Sequence, residues 1–406
     1  MLRAFLGSLV LGIAVAPLAQ ADADLVGIGT VPGSASDLSG LTGKQTDGTP
    51  HDQFGGISAL AYTGRDHEYV LVSDRGPKDG ASDFACRVHR AEIRITPGAS
   101  LPITVRLKAT TLLSNESGRR LVGSAASFHL TDPAKALRFD PEGISLGRTG
   151  TIYLSDEYGP MICEFDAEGK RLRSLPVPKH FRPAIYGKNP VDELPPKNAV
   201  GRMPNRGLEG LAISPDGKKL YGLVQSPLLQ DGGLDAAGNR SGMNCRLLEL
   251  DAATGKTREF VYVLDSPANG LNEILAINDR EFLVIERDGL PGSEARFKKI
   301  VRIDLANATD VSGIANLPVG ELPPSIIPVK KAAFIDLLAP KFKIAGPNCP
   351  EKFEGLAFGP ELPNGKRSLI VAADNDFVRE QPVRFYAFEI DADDLMGFRR
   401  PEASKR

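Results

Sequence analysis

Glu142, Glu209, Glu273 and Glu354 stand in four similar stretches of sequence: Phe139-Asp-Pro-Glu-Gly-Ile-Ser-Leu, Gly207-Leu-Glu-Gly-Leu-Ala-Ile-Ser, Leu271-Asn-Glu-Ile-Leu-Ala-Ile and Phe353-Glu-Gly-Leu-Ala-Phe. Each is followed by an apolar run ending in polar residues: Tyr153-Leu-Ser-Asp-Glu, Tyr221-Gly-Leu-Val-Gln, Phe282-Leu-Val-Ile-Glu and Leu369-Ile-Val-Ala-Ala-Asp. A fifth copy, Gly56-Ile-Ser-Ala-Leu and then Tyr69-Val-Leu-Val-Ser-Asp, opens the series with Gly55 in the place of the acid. An acid kept while its apolar neighbours vary implies that the acids meet. Carboxylates brought together repel unless protons or cations relieve them. Such oxygen-rich clusters suit hard cations, calcium above all. Glu142, Glu209, Glu273 and Glu354, with Asp156 and Asp374 from the second runs, are therefore the expected metal ligands. The competing explanation is that the glutamates cap exposed backbone amides at strand starts.

The elements that position these acids follow from the period. Successive glutamates lie 67, 64 and 81 residues apart, a spacing that suits propeller blades with long loops better than helical solenoids. Each unit supplies about four short strands. The third alternates and ends in Asp, as in Arg246-Leu-Leu-Glu-Leu-Asp and Tyr386-Ala-Phe-Glu-Ile-Asp. Turns such as Ala252-Ala-Thr-Gly-Lys lead to a fourth, edge strand. No stretch sustains a helical period, so the expectation is an all-β β-propeller of five or six four-stranded blades. A degenerate sixth copy would lie in 101–127 or 317–343, and Asp24-Leu-Val-Gly-Ile-Gly-Thr would supply the outer strand that closes the ring.

Antiparallel neighbours put the start of one strand beside the end of the next. Glu142 is expected to face Asp156, Glu209 to face Gln225, Glu273 to face Glu286, and Glu354 to face Asp374. Long loops at 188–205, 226–244 and 316–350 border that rim and are expected to shape a pocket. Arginines are expected there too: Arg75, Arg206, Arg287 and, from the side, Arg138. Guanidinium forks match phosphate oxygens, although each could equally neutralise a neighbouring carboxylate. Glu209, Glu273, Arg206 and Arg287 are the catalytic candidates, one glutamate serving as base. Arg75, Arg138 and Gln225 are the substrate-binding candidates.

The segments Ser73-Asp-Arg-Gly, Asp140-Pro-Glu-Gly-Ile, Asn205-Arg-Gly-Leu-Glu-Gly-Leu-Ala, Gln225-Ser-Pro-Leu, Ile285-Glu-Arg-Asp-Gly and Phe353-Glu-Gly-Leu-Ala resemble the bacterial phytase-like family, described as having esterase-like activity of phytase. The resemblance runs from about Gly55 to Asp391. It implies a propeller whose repeated Glu and Asp residues carry phosphoester hydrolysis on a small-molecule substrate. Gluconolactonase-type propellers share a similar Glu-Gly opening and imply the alternative, metal-dependent lactone hydrolysis. A calcium-braced propeller that only binds is the non-enzymatic alternative.

Other motifs weigh less. Gly143-Ile-Ser-Leu-Gly matches a serine-hydrolase elbow, but Ser145 aligns with Ala212, Ala276 and Ala357 inside an inner strand. The histidines His51, His67, His89, His129 and His180 show no zinc-binding spacing. Arg3, an apolar run to Leu18 and Ala19-Gln-Ala21 form a secretory signal over residues 1–21, leaving a single domain over 22–406 that is exported to the periplasm or beyond. No later run is long enough to span a bilayer. Cys86, Cys163, Cys245 and Cys349 allow three disulfide pairings, with Cys86–Cys163 and Cys245–Cys349 favoured. A net charge of −2 offers no basic stripe for nucleic acid. A monomer is expected.

Overall fold

The computed structural model describes residues 20–129, 136–187 and 189–401; the expected signal lies almost wholly outside them. A first strand, β1 (Ala23–Val31), precedes four successive four-stranded antiparallel sheets. The first holds β2 (Ile57–Tyr62), β3 (Glu68–Ser73), β4 (Arg87–Ile95) and β5 (Ile103–Leu112). The second holds β6 (Pro141–Leu146), β7 (Ile152–Asp156), β8 (Met161–Phe165) and β9 (Arg171–Leu175). In the third come β10 (Leu208–Ile213), β11 (Lys219–Val224), β12 (Asn244–Asp251) and β13 (Thr257–Val263). In the fourth come β14 (Gly270–Ala276), β15 (Glu281–Arg287), β16 (Lys298–Asp304) and β17 (Lys330–Asp336). The last sheet combines β18 (Phe353–Glu361), β19 (Arg367–Ala373) and β20 (Val383–Ile390) with β1 as its outer strand. Five blades result, and the Asp24–Thr30 run closes the ring by pairing with β20.

The two stretches considered for a sixth blade are already used. Residues 101–127 contain β5, and 317–343 contain β17, each the fourth strand of its own blade. The 316–350 segment is therefore an edge strand with flanking turns, not a simple rim loop.

Burial follows position in the blade. The inner strand β10 is buried at every residue, whereas β9, an outer strand, buries only its two ends. Inner strands β2, β6, β10, β14 and β18 pack in order around a central channel. Five of the six apolar clusters each fill one blade–blade interface, and the sixth packs Val261 of β13 against Val311, Leu317 and Ile326. In one of them Tyr221 of the third blade meets Phe282 of the fourth, ring centres 4.5 Å apart. The glycine of the Glu-Gly pairs has a packing cause. A Cβ on Gly143 would stand 2.5 Å from the backbone nitrogen of Leu211 in the next blade, and one on Gly210 would stand 2.6 Å from that of Ile274.

The favoured disulfides do not form. All four cysteines are buried free thiols. Cys86 donates to the Phe139 carbonyl at 3.2 Å, and Cys163 Sγ lies 3.6 Å from the Ser174 hydroxyl. Cys245 and Cys349 sit in different inter-blade clusters and cannot meet. Burial pushes the Cys163 thiol up to about 11, which keeps it protonated and unreactive. Among the described residues, no helix is long and apolar enough to cross a membrane.

Candidate functional site at the channel mouth

Every inner strand breaks register near its start, between Ile57 and Ala59, Pro141 and Ile144, Leu208 and Leu211, Leu271 and Ile274, and Phe353 and Gly355. These irregularities set the equivalent positions. Ser58, Glu142, Glu209, Asn272 and Glu354 form one ring, each the residue that follows the last pair before its strand's break. A second ring comes from the ends of the neighbouring strands: Asp74, Glu157, Gln225, Arg287 and Asp374. In four blades the backbone N–H of this residue donates to the residue just before the inner strand's first paired position: Asp74 to Gly56, Glu157 to Asp140, Gln225 to Gly207, and Asp374 to Lys352. In the fourth blade Arg287 pairs with Gly270.

The mouth is a polar cavity of about 130 Å³ lined by Asp74, Arg75, Glu142, Arg206, Glu209 and Glu354 among others. Glu209 accepts a hydrogen bond from Gln225 Nε2, whose Oε1 accepts one from Arg206 Nη1 at 2.8 Å. Glu354 accepts Arg287 Nη2 at 2.7 Å. Arg75 spans the first two blades: its Nη1 reaches Asp140 at 2.5 Å and Glu157 at 3.0 Å. Its Nη2 reaches Asp79 at 3.0 Å and also Asn205. Lys352 Nζ stands 3.7 Å from Asp374 Oδ2 and pairs more closely with Asp376.

Several expected residues lie elsewhere. Asp156 is one position short of the mouth, so its side chain turns into the blade. Its oxygens take the N–H groups of Asp140 at 3.0 Å, Tyr158 at 3.2 Å and Gly159 at 3.1 Å. Its neighbour Glu157 instead backs the mouth, holding the lining residue Arg75 at 3.0 Å and taking the Gly207 N–H at 3.1 Å. In the fourth blade Asn272 takes the glutamate position and Glu273 the glycine position. Glu273 accepts from the N–H groups of Leu211 and Ile274, both at 3.0 Å, and lines the apolar far half of the channel. Glu286 is likewise turned outward, to Tyr262, Asp265, Asn269 and Lys331. In the first blade Ser58, not Gly55, matches the glutamates, because Ile57 pairs with Ser73 as Phe353 pairs with Ala373. Arg138 sits in an adjoining recess that also includes Arg75 and Asn205, stacked 4.7 Å over Tyr158. Ser145 stays inside β6, its hydroxyl donating to the Leu211 carbonyl at 2.7 Å.

The charges perturb one another strongly. Burial first, then Glu157 and Glu354, raises Glu209 well above the carboxylate range. Burial and Glu209 do the same to Glu142, and burial and Asp374 to Asp74. Burial lifts Glu157 and Asp374 to about 7, although Arg75 and Lys352 respectively pull them down. Desolvation opposes the charge on Arg75, but Asp140 and Glu157 outweigh it and hold the guanidinium firmly ionised.

The donor set fits a hard cation. Oxygens of Asp140, Glu142 and Glu157 lie within 4.8 Å of one another. Asn272 Oδ1 and Asp374 Oδ2 are buried without a hydrogen-bond donor. No histidine or cysteine belongs to this set, which disfavours zinc. Asp140, Glu157, Asn272 and Lys352 went unselected in the sequence. Glu157 was visible as the residue after Asp156, and Asn272 as the residue before Glu273, but only strand register separates such neighbours.

The phytase-like family model, described as esterase-like activity of phytase, matches residues 52–377. The chain belongs to that family. An uncharacterized secreted protein of Arthroderma benhamiae is 27% identical over 463 aligned residues, covering 88% of this chain and 87% of that one. Among solved structures, a calcium-binding regucalcin from Agrobacterium tumefaciens is 10% identical with a TM-score of 0.37, covering 88% of this chain and 97% of its own. A streptogramin B lyase is 14% identical with a TM-score of 0.32, covering 83% and 94%. Similarity at that level carries no functional argument.

Proposed function

We propose that this phytase-like protein is an exported, metal-dependent phosphoesterase whose site is the channel mouth. The observation that carries the reading is the convergence of all five blades, through Asp74, Glu142, Glu209, Arg287 and Glu354, on one small polar cavity. Family membership supports hydrolysis of an ester, and the secreted relative supports export.

Glu142 is the central proposed ligand for the cation, calcium in our reading, with Asp140 and Glu157 beside it and Glu209, Glu354 and Asp374 completing the acidic surround. When bound, the cation would polarise a phosphoryl oxygen and offset the negative charge of substrate and carboxylates. The chain's own groups supply the rest. Arg75 fixes Asp140 and Glu157 in place through its forked contacts. With a cation offsetting the neighbouring acids that hold its proton, Glu209, oriented by Gln225 Nε2, would be the candidate base that takes the proton from the attacking water. Arg206 and Arg287 face charge that develops on the phosphoryl oxygens. We assign Glu273 no part in this chemistry, because its carboxylate is engaged with backbone amides toward the far end of the channel.

The test is hydrolysis of aryl phosphate, bis-aryl phosphate, phytate and a sugar lactone by the mature protein, with calcium or after chelation. Calcium-dependent phosphate release is expected. Turnover of the lactone alone would replace this reading with a lactonase, and no turnover would leave a binding propeller.

A further inference from the structure

The blade 3 and blade 4 side of the mouth is cationic in a way the acids do not explain. Arg206 precedes β10, Arg240 comes from the 226–244 loop, and Arg287 ends β15; all three line the cavity. Arg287 is committed, through Nη2 to Glu354 and through Nη1 to the Asp288 carbonyl at 3.2 Å. The other two are not neutralised by contact. Among the described residues, neither Arg206 nor Arg240 has a carboxylate oxygen within the 4.0 Å of an ion pair.

Gln225 is the reason for Arg206. It sits between the guanidinium and Glu209, bonding one with its carbonyl and the other with its amide. That arrangement holds Arg206 near the acid without an ion pair, and among the described residues its guanidinium makes no hydrogen bond besides the one to Gln225. Arg240 is steadied by the Ala268 carbonyl at 2.7 Å and the Asn269 carbonyl at 3.3 Å, which absorb no charge. Desolvation, then Arg206 and Arg287, holds Arg240 down at about 10, so the three cations feel one another. Like charges pressed together at a wall floored by Gly270 and Gly289 are relieved by an anion between them.

We propose that Arg206 and Arg240, backed by Arg287, form a subsite for the terminal phosphate of a phosphomonoester, and that Arg240 selects monoesters over diesters. A singly esterified phosphate brings close to two charges and three free acceptor oxygens. A diester brings one charge and two such oxygens, and a lactone brings neither, so the cationic wall discriminates in that order. The inference rests on the phosphoester reading for its reaction, but its binding step stands apart from the cation.

The test uses the full mature chain in chelator, titrated calorimetrically with inorganic phosphate, methyl phosphate and dimethyl phosphate. Phosphate and methyl phosphate should bind saturably, with dimethyl phosphate weaker by about tenfold or more, the value of one lost charge-assisted hydrogen bond. Arg240→Gln should weaken phosphate by a similar factor, and Arg240→Lys, which keeps the charge but not the fork, should fall between. Arg206→Gln is the second probe should the Arg240 loop fail to fold. Absence of saturable phosphate binding in the wild type, or equal affinity for methyl and dimethyl phosphate, would overturn the subsite. So would a folded Arg240→Gln protein that binds phosphate unchanged. Phosphate binding without any calcium-dependent hydrolysis would retain the subsite and remove the enzymatic reading. Hydrolysis of monoesters with KM unchanged in Arg240→Gln would do the reverse.

Discussion

Stripped of cations, the mouth holds several carboxyl groups that cannot all ionise cheaply. Glu157 and Asp374 are each raised to about 7 in the folded protein, mainly by burial. Both titrate near 4 in an unfolded chain. A carboxyl with a raised folded value keeps its proton longer in the native state. Its stabilising effect is therefore complete below the unfolded value, declines as pH rises toward 7, and then levels off. Each pH unit in that window costs about 1.4 kcal/mol per group, so Glu157 alone represents on the order of 3 kcal/mol. Unfolding entropy for a chain of about 400 residues is roughly 0.8 kcal/mol per kelvin, which converts that cost to about 4 °C in Tm. Calcium favours the ionised carboxylates and should cancel it. The Tm difference between calcium-loaded and metal-stripped protein should thus be small at pH 5 and larger by about 4 °C at pH 8. Taking the difference cancels surface groups that titrate equally in both samples. The chain has no Trp, so calorimetry is the suitable assay. A gap that is constant with pH, or that shrinks as pH rises, would refute the assignment of these acids to a cation.

Three substitutions test other parts of the site. Glu209→Gln should lower kcat by about 10²- to 10⁴-fold, as expected for loss of a general base. Its metal-free Tm should hold or rise, because a carboxyl repelled by Glu157 and Glu354 is removed; a collapse in Tm instead would mark Glu209 as structural. Arg75→Gln leaves Asp140 and Glu157 without their shared cation and should cost about 3–5 kcal/mol in chelator, with calcium restoring more to this variant than to the wild type; thermal melts with and without calcium decide it. Glu273→Gln should leave hydrolysis unchanged, since its amide oxygen can still accept from Leu211 and Ile274. A large loss of turnover in a folded Glu273→Gln protein would return that residue to the mechanism.

The all-β propeller, its repeat and its closure by the Asp24–Thr30 strand were legible in the chain, because inner-strand runs and turn residues repeat in order and a ring needs a partner for its last edge. The presence of acids at strand ends was legible for the same reason. What sequence alone could not supply was the register within each blade. Leu208-Glu209-Gly210 and Leu271-Asn272-Glu273 look alike when glutamates are aligned, yet pairing of Leu208 with Val224 and of Leu271 with Glu286 aligns the leucines instead. A slip of one residue turns a side chain to the opposite face. That slip sends Glu273 toward the far channel, Glu286 and Asp156 into their blades, Asn272 and Arg287 to the mouth, and Glu157 behind it against Arg75. The same limit holds for Arg240, whose loop carries no repeat, and for the cysteines, whose distances from one another depend on how the blades pack. Repetition in sequence thus specified the scaffold and the kind of chemistry it gathers. Only the folded ring, through its strand irregularities and its long loops, decided which carboxylates and arginines share one cavity.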